Sequence, residues 1–360
     1  MWSEGCFAKY PEEMTELGSV ERQRCTEFVI ACSKYDKASR SARASLGRAR
    51  AGKSLIMYLL ALLLFGVHGL HPRSKHLGRY DISRLVEVNP ALRPLTFVSE
   101  KTGDQTVDWG NRDAVFQLNK ALLMQYYGVS NAYDVPSGWL VPPVPSRADL
   151  VHVIADLIFE EGCTDPALSV VGLDFGTGAN AIFPLIASAE FGWKMVGTET
   201  NIQALALARK NALATSHSSL IALRHQPNPL HFFKNVVADG ERFNFCICNP
   251  PFYSSKAEAQ AASDRKTQNL GLARGRGNFE GQGAELWCRG GEAAFISGMI
   301  DESATREFRG RLGWLASLVS NRRNLRPLQD LLVSRKSSKS VVHEISTGNK
   351  MATVLAWRFD

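Results

Sequence analysis

Short apolar runs separated by helix-length stretches recur through most of the chain, and their order is the first thing it reveals. Runs starting at Val170, Lys194, Leu220, Phe243 and Leu312 are of strand length and are apolar on successive residues. That pattern marks strands covered on both faces, as in a mostly parallel sheet. Ala181 to Ala189, between the first two runs, reads as a helix. Ser340 to Ile345 and Ala352 to Phe359 have no helix between them and predict a closing hairpin. Seven strands alternating with helices and ending in a hairpin define an α/β fold with a doubly wound, Rossmann-like sheet.

Upstream, a short helix is expected near Ile82 to Val86 and an amphipathic one over Arg112 to Tyr127. Val141-Pro142-Pro143-Val144-Pro145 reads as a stiff connector, and Ser146 as the cap of a helix running through Ile158. Residues 1–70 differ from the rest: a polar start, a basic stretch from Lys37 to Lys53, then an apolar run from Leu55 to Val67. Those 13 residues fall short of the roughly twenty that span a bilayer, and they lie too deep for an ordinary secretory signal. The expected organisation is an extension over 1–70, a small N-terminal subdomain over 71–145, and the α/β domain over 146–360. The extension is read first as dispensable or poorly ordered, second as an organelle-targeting or membrane-associating segment, and third as a helix packed on the domain. Within the α/β domain, a structureless Gly-, Arg- and Lys-rich loop is expected over 253–290, a length that usually serves a function such as substrate gating.

Composition adds limits. The 360 residues are 45% hydrophobic and 21% charged, which suits one large or two modest cores and excludes wholesale disorder. The net charge of +7 suits a polyanionic partner. Seven cysteines form no CxxC pair, and eight histidines form no ligand spacing, so no metal site is expected. Cys246 and Cys248 alternate on one strand and should share a buried face. A reducing, cytoplasmic setting follows as the expectation.

The chemistry concentrates at strand ends. Asn249-Pro250-Pro251-Phe252 follows the Phe243 strand, where two prolines hold the backbone extended and remove two donors. A carboxamide, free carbonyls and an aromatic ring then face one site, a set suited to a planar amine whose hydrogens must be accepted while its ring is stacked. Asp174-Phe175-Gly176-Thr177-Gly178-Ala179-Asn180 closes the Val170 strand with a glycine turn before a helix, which favours a polar ligand. The next strand ends in Glu199, where a doubly wound fold places an acid against ribose hydroxyls. Two look-alikes carry no such context. Asp174-Phe175-Gly176 has no accompanying kinase elements. Gly47 to Ser54 matches a phosphate-loop pattern but follows a polar, basic stretch where a strand is required.

His71 to Asp81 sets Arg73, Lys75 and Arg79 beside Tyr80, a candidate phosphate grip with a stacking surface. Lys256, Arg265, Lys266, Arg274 and Arg276 follow the Asn249 loop and form a second basic segment.

From about His71 onward the chain resembles the bacterial 23S rRNA (adenine-N6) methyltransferase F family. More distantly it resembles the eukaryotic enzymes that methylate an adenine in a spliceosomal small nuclear RNA. The resemblance rests on His71 to Asp81, Tyr126-Tyr127-Gly128, Pro142 to Asp149, Leu173 to Pro184, Asn249 to Phe252, Asn269 to Leu272, Ala284 to Cys288 with Gly290-Gly291-Glu292, and Ala356 to Asp360. It implies S-adenosylmethionine as donor and an adenine in structured RNA, foremost large-subunit ribosomal RNA, as acceptor. By position it places Asp174, Gly176, Gly178 and Asn180 around the donor, Glu199 on its ribose, Arg147 at its carboxylate, and Asn249 to Phe252 on the base. Glu199 stands where the bacterial family usually has Asp. The first seventy residues have no counterpart, and the segment between Leu272 and Asn278 is rewritten as Ala-Arg-Gly-Arg-Gly. The chemistry of Asn-Pro-Pro-aromatic leaves small nuclear RNA or DNA adenine and a protein glutamine amide as alternative acceptors, and a catalytically silent RNA-binding module as a further alternative.

Overall fold

The structure, a computed structural model, describes residues 70–160, 169–269, 283–347 and 350–360. They belong to one compact unit, His68–Asp360. The phosphate-loop look-alike, the apolar run Leu55 to Val67 and the basic residues Arg274 and Arg276 lie outside the described residues.

The chain enters through α1 (Ile82–Val88), a two-stranded antiparallel ribbon of β1 (Thr96–Val98) and β2 (Gln105–Val107), and α2 (Arg112–Tyr127). Local signals set their ends. Asp81 accepts from Arg84 N at the start of α1, and Asn111 accepts from Asp113 N and Ala114 N at the start of α2. Gly128, at φ 63°, closes α2.

The next helix, α3, spans Val144–Glu160 and starts before the expected Ser146 cap. Val144 N donates to Asn119 Oδ1 on α2 at 2.9 Å, and Pro145 has no N–H to satisfy. A tertiary contact therefore does the work assigned to Ser146, whose hydroxyl instead donates to Pro143 O at 3.2 Å.

The sheet follows as β3 (Val171–Phe175), α4 (Ile182–Phe191), β4 (Lys194–Glu199), α5 (Ile202–Leu213), β5 (Ile221–His225) and β6 (Phe243–Cys248). The remainder is α6 (Lys256–Asn269), the one-turn α7 (Gly283–Leu286), α8 (Gly291–Ser303), β7 (Leu312–Val319), α9 (Leu325–Ser334), β8 (Lys339–Thr347) and β9 (Lys350–Arg358). The seven strands lie in the order β5-β4-β3-β6-β7-β9-β8. All neighbours from β5 to β7 are parallel, and β9 runs antiparallel to β7 and β8. The seven-stranded doubly wound sheet and its closing hairpin are as the sequence pattern predicts.

Each face of the sheet is covered. Phe245, Ile247, Trp314 and Ala316 join one buried cluster with α2, α3 and α4, and that cluster also takes in Ile82 and Leu85 of α1. Cys246, Cys248 and Leu315 face the other cluster with Ile296 and Met299 of α8, so the two cysteines share a face as expected. Each fully buried aliphatic or aromatic side chain contributes about 1.5–3 kcal/mol. Close packing sets one glycine: a Cβ on Gly172 would stand 2.2 Å from the Phe245 ring.

The expected structureless excursion over 253–290 differs from what forms, since Lys256–Asn269 is helical. Ser254 N and Oγ donate to Glu258 Oε2 at 2.8 and 2.6 Å, and Glu258 N donates to Ser255 Oγ at 3.2 Å, so the first turn is capped from both sides.

Candidate active site

Register brings the predicted residues together. Phe175 pairs with Thr198 on one side and with Cys248 on the other. Glu199, Gly176 and Asn249 are therefore the next residues, at one level, on or just beyond the carboxyl ends of three adjacent strands. At about 4.8 Å per strand their backbones span roughly 10 Å. Between β3 and β6 the chain reverses its direction of winding, the point where open α/β sheets bind ligands.

The glycine turn is held from β4. Gly176 N and Thr177 N both donate to Thr198 O, at 3.0 and 2.9 Å. Gly178 N donates to Glu199 Oε2 at 3.0 Å, while Glu199 Oε1 accepts from Asn201 N at 2.9 Å. Gly176 and Gly178 sit at φ 72° and 63°, the left-handed region where a side chain is strained. Asn180 Oδ1 accepts from Ile182 N at 3.0 Å and so secures the start of α4.

These residues line a cavity of about 410 Å³, within the range of small-molecule sites. Arg147, buried on α3, lines it as well, and burial lowers its guanidinium to about 10, still charged at neutral pH. Asp174 lies under the turn, with neither carboxylate oxygen hydrogen-bonded. Burial raises it to about 7, with the nearby Thr177 hydroxyl opposing that shift and the Glu199 charge adding to it. An unsatisfied buried carboxyl beside a bare glycine cradle fits a polar, cationic ligand.

Asn249 and Pro251 line the same cavity, and Asn249 Oδ1 is buried with no hydrogen-bond partner. Pro250 is buried; Phe252 is half-buried and meets Tyr253 edge-on at 6.5 Å. The loop is steadied by a segment that the sequence reading placed in the substrate excursion and among the anchors of the resemblance, without assigning it contacts. Phe252 N and Tyr253 N donate to Leu286 O at 3.1 and 3.0 Å, and Cys288 N donates back to Tyr253 O at 3.0 Å. That pairing brings Glu285 and Trp287 into the cavity wall. Glu285 Oε2 accepts from Leu140 N at 3.2 Å, across 145 positions of sequence, and no local pattern announces it.

The basic residues fall in two places. Arg73 pairs with Asp156 at 2.6 Å and Lys75 with Glu190 at 2.6 Å, on the last turns of α3 and α4. Asp156 is nine residues past Arg147, roughly 14 Å along α3 from the cavity. Arg79 pairs with Asp104 beside the β1–β2 ribbon. Tyr80 is half-buried, edge-on to His76 at 5.9 Å. Lys256 and Arg265 are exposed on α6, which directly follows the Asn249 loop, and Lys266 belongs to the same helix. Among the described residues no group of three metal-binding side chains occurs, and no helix is long and apolar enough to cross a membrane.

A family model described as RNA methyltransferase matches residues 66–360. The chain belongs to this family. Among curated RNA methyltransferases, it is 44% identical over 295 residues to ribosomal RNA large subunit methyltransferase F of Escherichia coli O1:K1, covering 81% of this chain and 94% of that protein. The protein of the same name from Shigella boydii serotype 18 matches to the same extent. Among solved structures, the chain is similar to the hMettl16 catalytic domain in complex with MAT2A 3′UTR hairpin 6, with a TM-score of 0.68 and 27% identity. That match covers 81% of this chain and 98% of the other. The N-terminal domain of human METTL16 in complex with SAH has a TM-score of 0.65 and 25% identity, covering 81% and 99% of the two chains.

Proposed function

We propose that the protein transfers a methyl group from S-adenosylmethionine to the N6 amine of an adenine in structured RNA, foremost large-subunit ribosomal RNA. One observation carries the reading: a buried, unpartnered carboxamide oxygen, Asn249 Oδ1, shares a cavity with the Gly176–Gly178 turn and Glu199. The relatives named for large-subunit ribosomal RNA support the acceptor, and the hairpin held by the human neighbour favours an adenine presented in folded RNA.

Gly176 and Gly178 give the donor close approach, Glu199 accepts from its ribose hydroxyls, and Arg147 meets its carboxylate. Bound there, S-adenosylmethionine supplies a methyl on an activated sulfonium. The chain's own task is to make a poor nucleophile attack. Asn249 Oδ1 and the Pro250 carbonyl accept the two amine hydrogens, which favours a pyramidal nitrogen with its lone pair free of the ring. Phe252 stacks on the base once it leaves its RNA context. The nitrogen turns cationic as it takes the methyl and then releases one proton readily to solvent while the donor leaves as the neutral thioether, so no strong general base is needed; alignment and electrostatics supply up to roughly 7–11 kcal/mol.

Substrate RNA is assigned to residues 71–145 and to the segment 253–290, with Arg73, Lys75, Arg79, Tyr80, Lys256, Arg265 and Lys266 as contacts. The setting is cytoplasmic, consistent with free cysteines at 246, 248 and 288. Tritiated donor incubated with unmodified ribosomal RNA, total RNA, DNA and protein, followed by nucleoside analysis, tests the proposal. N6-methyladenosine in large-subunit RNA is the expected product, and label confined to DNA or to glutamine would overturn the acceptor assignment.

A further inference from the structure

The donor carries four recognisable parts: a base, a ribose diol, a sulfonium, and an amino-acid end with both a carboxylate and an ammonium. Arg147 and Glu199 serve the carboxylate and the diol, and the ammonium then lacks an anionic partner. We propose that Glu285 receives this ammonium, an assignment resting on the donor reading above.

Position selects Glu285. Its carboxylate lines the cavity, whereas Asp174, the other available acid, lies beneath the turn and is absent from the wall. Glu285 Oε1 stands 3.3 Å from where a Cβ of Gly178 would be, so the turn turns its bare face to the carboxylate. The Leu140 N–H holds the second oxygen, Oε2, at 3.2 Å, and Leu140 O accepts from Asn180 Nδ2 at 3.5 Å, which ties Glu285 to the start of α4. An ammonium over Gly178 would meet this fixed acid while the donor's carboxylate meets Arg147 on the same cavity wall, the opposite-charge pairing an amino-acid zwitterion requires.

The test uses the full chain and two ligands: S-adenosylhomocysteine and its deaminated analogue, which keeps the thioether, carboxylate and nucleoside but has hydrogen in place of the ammonium. Calorimetry is run on parent, Glu285→Gln and Asp174→Asn. The parent should prefer S-adenosylhomocysteine by at least about ten-fold, the size of one charged hydrogen bond. Glu285→Gln keeps an acceptor for Leu140 N and should narrow that preference to within about two-fold, with the deaminated analogue bound equally by both proteins. A parental preference that survives in Glu285→Gln would overturn the assignment. So would a parent without preference, a loss falling equally on both ligands, or a preference removed only by Asp174→Asn. A parent that binds neither ligand would bring down the donor reading and this assignment with it.

Discussion

Gly178 N donates to Glu199 Oε2 over 3.0 Å, which makes the glycine turn after β3 and the acid ending β4 a single hydrogen-bonded unit. Glu199 holds the turn, and the proposed donor reading gives it a second task, accepting from the ribose. A carboxylate offers about four acceptor sites, enough for both.

Removing that acid should therefore be costly. Glu199→Ala is expected to weaken S-adenosylmethionine binding by about 1.5–3 kcal/mol, the range for a charged hydrogen-bonding group. Isothermal calorimetry checks it, and an unchanged affinity would remove Glu199 from the donor site.

Asn249 should separate chemistry from binding. Its Oδ1 has no partner in the free protein, so Asn249→Ala breaks no existing hydrogen bond there. Methyl transfer should vanish while donor affinity and melting temperature stay close to the parent's. Turnover above about a tenth of the parental rate would mean that another group accepts the amine hydrogens.

What the sequence made legible follows from which forces are local. Strands β3, β4, β6 and β7 are apolar on both faces, so their runs stand out, and Gly176, Gly178, Glu199 and Asn249 mark their ends. Helix α6 escaped because it carries no apolar stripe; its signal was the Ser255 and Glu258 spacing, an N-terminal box that reads without hydrophobic periodicity. The start of α3 escaped because its cap, Asn119, comes from another helix. Glu285 escaped because its place depends on the pairing of Leu286 with the Asn249 loop. The pairing of Arg73 with Asp156 was equally invisible, being set by how the entry segment lies on α3.

Asp174 should reveal itself through pH. Its folded pKa is raised to about 7 from 3.8, chiefly by burial, so between those values the folded state holds a proton the unfolded chain has lost. Stability from this group is present at low pH and is lost as pH rises through that window. Asp174→Asn has no such proton to lose. The melting temperature of the variant should thus gain on the parent's from about pH 4 to pH 7 and stay level beyond about pH 8, measured by differential scanning fluorimetry without donor. A constant difference across this range would mean that Asp174 titrates normally.

The proposed RNA contacts divide by what already occupies each cation. Arg73 and Arg79 pair with Asp156 and Asp104, and an exposed pair of this kind contributes about 0–1 kcal/mol, so RNA phosphate can displace the carboxylate at small cost. Each displacement nevertheless subtracts from the gain. Lys256 and Arg265 are exposed on α6, immediately after the loop proposed to hold the base. Neutralising Lys256 and Arg265 together should weaken RNA binding and flatten its salt dependence by up to about two units of slope, leaving donor affinity unchanged. Neutralising Arg73 and Arg79 should act in the same direction but less strongly. RNA affinity measured across a salt series for the parent and both double variants decides the matter. Lines parallel to the parent's for the α6 pair would remove that helix from the RNA surface, and a larger change from the Arg73 and Arg79 pair would place the main phosphate grip on the entry segment.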